Sequence, residues 1–224
     1  MSDSDFIIKS INNANWEHEL EIVGFDKSYS HKFSDKFIVG ELMPDLLKMA
    51  GKEKSQTHYL QEVIEDSGVK TLPNVLKYEE ENAENIKDEK VLGYMSHLVQ
   101  DKVWFDKYIG KYAKTDANDI DKIEYLQYNI TKKAKDFSKD MNNDYINTNK
   151  YLAEKYDLDI AGIKNTLKGL SKDKIIKDKI DKAFKFNDID FKKQNVFITE
   201  DDLENYINEA VKKSSIEIDK ILDK

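Results

Sequence analysis

Apolar residues recur at helical spacing along most of this chain, and little of it alternates with the period of a half-buried strand. The most apolar helical stretch runs from Val91 to Phe105. A long helix is expected from Asn85 or Asp88 to near Gly110. Residues 29–39 predict a helix with Phe33 and Phe37 at i,i+4. Residues 43–51 predict a short one, with Pro44 in its first turn and Gly51 beyond its end. Residues 54–66 read as a helical turn or a loop leading into one, and 68–73 as a break. After Thr115 the segments 116–141, 143–156, 160–170 and 173–184 are amphipathic and rich in Lys and Asp. The run Thr199-Glu-Asp-Asp202 has the form of a capping box and starts a last helix over 201–223. Only 19–23 and 195–198 look strand-like. Two prolines and eight glycines suit a mostly helical protein with short connections. The expected fold is all-α, a multi-helix bundle. Residues 1–112 form one half and 113–224 a Lys/Asp-rich helical half packed into the same domain.

Composition narrows the function classes. The chain has 224 residues, 39% hydrophobic and 36% charged, with ten Phe, twelve Tyr and two Trp to build a core. All 36 basic residues are Lys, against 44 acidic ones, for a net charge of −8. Without Arg, planar bidentate phosphate clamps are not built from side chains, and phosphate recognition falls to Lys, backbone amides or a metal. The acidic balance argues against nucleic-acid binding by counterion release. The absence of cysteine excludes disulfides, thiolate zinc sites and cysteine nucleophiles. No basic and apolar leader opens the chain and no apolar run approaches a membrane span, so a soluble, cytoplasmic protein is expected.

The chemistry concentrates before residue 98, where all four histidines lie: His18, His31, His58 and His97. His97 and Asp101 share a helix face with Tyr94, Trp104, Phe105 and Tyr108, an aromatic and core-facing surface. Two such groups buried without partners would cost several kcal/mol, about 2–7 for each polar group. They call for each other, for other polar groups, or for a metal. His31 with Asp35 and His58 with Glu62 repeat the His-x3-acid spacing, and Asp45 follows Pro44 at a helix start. Two imidazoles and two carboxylates suit zinc, and equally iron or manganese. The alternative is a hydrogen-bonded His97–Asp101 pair inside a bundle. His18, among polar neighbours, reads as a surface histidine. Trp104 and Phe105 read as core rather than as a cage for a quaternary ammonium, and the charged helices after Thr115 read as solvated faces.

Three pieces stand in order: Gly40-Glu-Leu-Met-Pro44-Asp45-Leu, then Thr57-His58-Tyr59, then Leu92-Gly93-Tyr94-Met-Ser-His97-Leu-Val-Gln-Asp101. Together, over roughly residues 30–110, they resemble the zinc-dependent phospholipase C family. That family is all-helical, includes bacterial phospholipases C, and shares its fold with single-strand nucleases. The resemblance implies a metal held by Asp45, His58, His97 and Asp101, with His31 a ligand to a second ion.

This sequence departs from the family's three-zinc pattern, because no histidine follows His97. The family's N-terminal tryptophan is absent unless processing exposes Trp16. A one- or two-metal site is therefore expected, with Asp106 or Glu41 filling gaps. The implied activity is phosphoester hydrolysis by metal-activated water, with Asp45 as ligand or general base. The substrate would be a phosphoester small molecule or a phospholipid headgroup. The alternative is a catalytically inactive helical interaction protein that retains the fold.

Overall fold

The computed structural model describes residues 34–65, 68–116, 119–155, 160–170, 174, 177–178, 180 and 195–223. The expected strand at 19–23, most of the helix at 173–184, Trp16, His18 and His31 lie outside them. The chain is mostly helical, as its periodicity predicts, with two small antiparallel sheets that the all-α expectation omits.

The first helix, α1, spans Asp35–Met49. Ser34 caps it, accepting from the Lys36 amide, and Glu89 in turn accepts from both the amide and the hydroxyl of Ser34. Sequence patterning predicted two helices broken near Pro44, but they are one, with Pro44 in the interior. Proline removes the amide that would bond the Gly40 carbonyl. The helix continues because it is packed along its length against the helix that carries His97. Its end is the expected one. Gly51 adopts φ +98°, with Gly51 N–H donating to Lys48 O and Lys52 N–H to Leu47 O, a Schellman pair.

The segment after α1 is a crossover. It holds α2 (Lys54–Thr57), a hairpin of β1 (Leu60–Glu65) and β2 (Gly68–Pro73) paired from Leu60↔Pro73 to Glu65↔Gly68, and α3 (Val75–Glu81). Lys54–Thr57 is the expected helical turn, and the hairpin takes the place of the rest of that segment and of the break expected at 68–73. β1 buries little, with Ile64 84% exposed, while Thr71, Leu72 and Pro73 of β2 are buried in succession, so no clean apolar alternation announces the strands.

Helix α4, Glu89–Val103, starts at Asp88, whose side chain accepts from the Lys90 amide. It runs into a π-helical turn at Trp104–Tyr108 and then α5, Ile109–Tyr112. α4 lies beside α1 in the same direction, with Ser34 beside Glu89 and Glu41 beside Gln100. The contact is between backbones. A Cβ on Gly40 would come within 3.0 Å of the Lys90 carbonyl, and one on Gly93 equally close to the Phe37 carbonyl.

A three-stranded sheet follows, β3 (Ala113–Asp116), β4 (Asp119–Tyr125) and β5 (Ile130–Lys133), in that order. It occupies the start of the segment expected to be helical from 116. Among the β4 residues of described burial, Ile123 and Tyr125, both fully buried, alternate with half-exposed Glu124, too few positions to declare a strand. Helix α6, Ala134–Lys155, then runs unbroken through the two segments read separately. α7 is Ile160–Leu170 as expected, and α8 is Glu200–Leu222, with Thr199 accepting from the Asp202 amide.

An aromatic core joins these parts. Trp104 stacks on Tyr108, meets Tyr206 edge-on and donates to the Tyr145 hydroxyl at 3.0 Å. Residues 195–198 form no strand. Their amides at Val196, Phe197 and Ile198 donate to the buried carboxylate of Asp144 at 2.7, 2.6 and 3.0 Å. Core side chains of α1 pack with Ile146 and Leu167 on one side, and with Leu92, Ile218 and Ile221 on another.

Three stability outcomes follow. Gly93→Ala should destabilise by about 1–3 kcal/mol, the cost of overpacking a tight contact. Gly110→Ala, where an added Cβ meets nothing within 4 Å, should be neutral or stabilising by up to ~1 kcal/mol. Urea unfolding of both checks this, and equal effects would contradict the helix-contact account. Asp144→Ala strands three amides, two buried and that of Val196 part-buried, and should cost roughly 2–4 kcal/mol. A loss below ~1 kcal/mol in the same assay would show that the loop is held by other means.

Candidate metal centre

The two parallel helices bring their acids and one imidazole to a single point. Asp45 comes from α1, five residues beyond Gly40. His97 and Asp101 come from adjacent turns of α4, four and eight residues beyond Gly93, facing the same way. His58 enters from the crossover as the residue that closes α2. Asp45, His58 and His97 are 0% exposed and Asp101 is 4% exposed. The structure thus assembles four of the five residues expected to bind metal. His31, the fifth, lies outside the described residues.

The donor atoms face one another. His58 Nε2 is 3.2 Å from Asp45 Oδ1 and 3.8 Å from Asp101 Oδ2, and His97 Nε2 is 3.7 Å from Asp45 Oδ2 and 3.9 Å from Asp101 Oδ2. The 3.9 Å between His97 Nε2 and Asp101 Oδ2 is longer than a hydrogen bond between those two atoms. Ligands bound about 2.0–2.1 Å from one zinc ion in a tetrahedral site lie roughly 3.3 Å apart. The observed separations are close to that edge length. Donor atoms of Asp45, His58 and His97 all lie within 4.8 Å of one another.

Local contacts orient His58. Thr57 Oγ1 lies 2.8 Å from His58 Nδ1, and its hydroxyl faces the Lys54 carbonyl at 3.4 Å. With the hydroxyl hydrogen turned to that carbonyl, Thr57 accepts from Nδ1–H, which leaves the lone pair on Nε2 aimed at the carboxylates. The Tyr94 hydroxyl donates to the Thr57 carbonyl, tying this turn to α4. Tyr59 follows with φ +50° and sits edge-on to Tyr78, which stacks on Tyr94. Burial holds the His58 pKa down at about 3, against the upward pull of Asp45, and Lys54 and His97 reinforce the depression. The ring is therefore neutral and cannot offset the carboxylates as a cation. Lys48 Nζ stands 4.0 Å from Asp45 Oδ1.

The residues whose donor atoms all lie within 4.8 Å of one another are Asp45, His58 and His97. Asp101, which approaches both imidazoles, stands outside that group, as do Asp106 and Glu41, the residues expected to fill gaps. Asp106 is exposed on the π-helical turn. Glu41 is buried one turn before Asp45, and its carboxylate accepts from the Gln100 amide. Trp104 and Phe105 are core residues, as expected. Sequence reading missed the roles of Gly40, Gly93, Thr57 and Tyr94. Their signal was positional: glycines four or five residues ahead of ligands, and a hydroxyl directly before a histidine. No family model, curated protein or solved structure matches the chain.

The His58 assignment has a direct readout. Two-dimensional 15N–1H spectra of the imidazoles should show His58 neutral and Nδ1-protonated from pH 8 to pH 5, without the ordinary titration near 6.5. Titration of His58 near pH 6.5, or an Nε2-protonated ring, would contradict it.

Proposed function

We propose that Asp45, His58, His97 and Asp101 hold one divalent metal ion, and that the protein uses it to hydrolyse phosphoester bonds in the manner of a zinc-dependent phospholipase C. The observation that carries the metal reading is the convergence of two imidazole nitrogens and two carboxylates at 3.2 to 3.9 Å. Zinc fits the donor set, as do iron and manganese. An excess of buried carboxylate beside a neutral His58 is also the electrostatics that a cation relieves.

A bound ion would supply Lewis acidity toward a phosphoryl oxygen and lower the pKa of a water toward about 7. The residues divide the remaining work. His58, His97 and Asp45 form a two-histidine, one-carboxylate set, with Asp45 as ligand. Asp101, the least buried of the four donors, either completes the set or takes the proton from water as general base. A groove of about 570 Å³ passes Ser55, Tyr59, Asn74 and Lys77, beside His58 in the chain, and offers space for a phosphoester small molecule or a phospholipid headgroup. Among the described residues no helix is long and apolar enough to cross a membrane.

A second reading has its own support. All four donors are almost sealed from solvent, and closed four-ligand sites are the structural kind, whereas catalytic sites keep a position open. On this reading the ion holds the helices together and the protein acts as an interaction module.

Elemental analysis of protein purified without chelators, beside a phosphomonoester and phosphodiester screen, tests both. About one equivalent of metal is expected, lost in His97→Ala and Asp45→Ala and kept in Asp106→Ala. Hydrolysis that disappears with the metal supports the enzyme reading. Full metal without hydrolysis, and with a large fall in melting temperature on chelation, supports the structural one. Absence of metal from the wild type sinks both.

A further inference from the structure

Glu41 stands one turn before Asp45 on α1, and Gln100 directly before Asp101 on α4. Both are sealed from solvent, at 2% and 1% exposure. The Gln100 amide nitrogen donates to Oε1 of Glu41 and, at 3.0 Å, to Oγ of Ser96. That nitrogen has two hydrogens, and both are committed. The Glu41 bond joins residues 59 apart in sequence and bridges the two helices in the layer next to the metal donors.

Stability is a poor reason for this pair. Replacing a buried polar or ionic pair with apolar residues of similar volume is often neutral or stabilising. Glu41 also adds a third carboxylate beside Asp45 and Asp101, which raises the electrostatic cost of the region. What the pair contributes is geometry. The glycine contact lets α1 and α4 approach, but two smooth backbones touching at glycines do not by themselves define the rotation of one helix against the other. An amide–carboxylate bond tolerates only a narrow range of length and direction.

We propose that the Glu41–Gln100 bond is a positioning device for the metal centre. It sets the rotation of α1 relative to α4 so that the Asp45 carboxylate meets the Nε2 atoms of His58 and His97 at ligand spacing. Neither residue belongs to the group of donor atoms within 4.8 Å of one another, which is Asp45, His58 and His97, so both act through the placing of Asp45, one turn from Glu41 on α1. This inference rests on the metal reading above.

Cobalt(II) titration, followed by its visible absorption, reads the affinity and the shape of the site without reference to activity. Three chains are compared: wild type, Glu41→Leu/Gln100→Leu, and the exchange Glu41→Gln/Gln100→Glu. The wild type should take up about one equivalent with the intense band of a tetrahedral site. The double-leucine variant should melt, with chelator present, near the wild type, yet bind cobalt about 10–100-fold more weakly, with a changed band. The exchange, which rebuilds the bond in reverse, should recover most of that loss and carries the test if the leucine variant fails to fold. Wild-type affinity and band in the double-leucine variant, or an exchange that recovers nothing, overturns the positioning role. No cobalt uptake by the wild type is a different result, and it removes the metal reading itself.

Discussion

The close approach of α1 and α4 is the constraint on which the rest of the structure depends. Two helices normally pack about 8–10 Å apart through interdigitating side chains. Here Gly40 and Gly93 remove the Cβ atoms that would collide with the opposite backbone, and the helices run side by side in the same direction. A parallel pair needs a connection that returns to the starting end. That connection is the stretch from Ala50 to Asp88, and its first turn delivers His58. The glycines thus govern both the spacing of Asp45 from His97 and Asp101, and the existence of the crossover that adds the fourth donor.

The electrostatics of this point run against ordinary folding preferences. Charged carboxylates are rarely buried unless paired or bound to a cation. The centre nonetheless encloses Asp45 and Asp101, with Glu41 one layer away, and holds His58 neutral. Thr57 fixes the imidazole by its Nδ1 edge and leaves Nε2 for the centre. This is how proteins commonly prepare a metal-bound histidine, the second nitrogen being held by an outer partner. The features that are costly in the empty protein are the ones that a bound ion would turn to advantage.

Much of the candidate site was legible in the sequence, because its donors follow local rules. His97 and Asp101 share a face by their four-residue spacing, and Asp45, His58 and the two glycines stand in short motifs. The C-terminal end of α1 and the start of α8 were legible for the same reason: Gly51 and Thr199 act within a turn of themselves. What was not legible depends on distant partners. Pro44 predicts a break, but packing against α4 carries the helix through it. β4 shows only Ile123 and Tyr125 as apolar alternation, so its identity comes from β3 and β5. The Glu41–Gln100 bond and the hold of Asp144 on residues 196–198 cross 59 and more than 50 positions, where no local pattern points from one partner to the other.

The central claim is that an ion sits between α1, α4 and the turn after α2. Anomalous diffraction from crystals grown without chelator, collected on either side of the zinc absorption edge, tests it most directly. The account predicts a single strong anomalous peak about 2.0–2.1 Å from His58 Nε2 and His97 Nε2 and about 2.0–2.2 Å from an Asp45 oxygen, with iron and manganese edges distinguishing those metals. An empty centre, with His97 and Asp101 drawn together into a direct hydrogen bond, would contradict it.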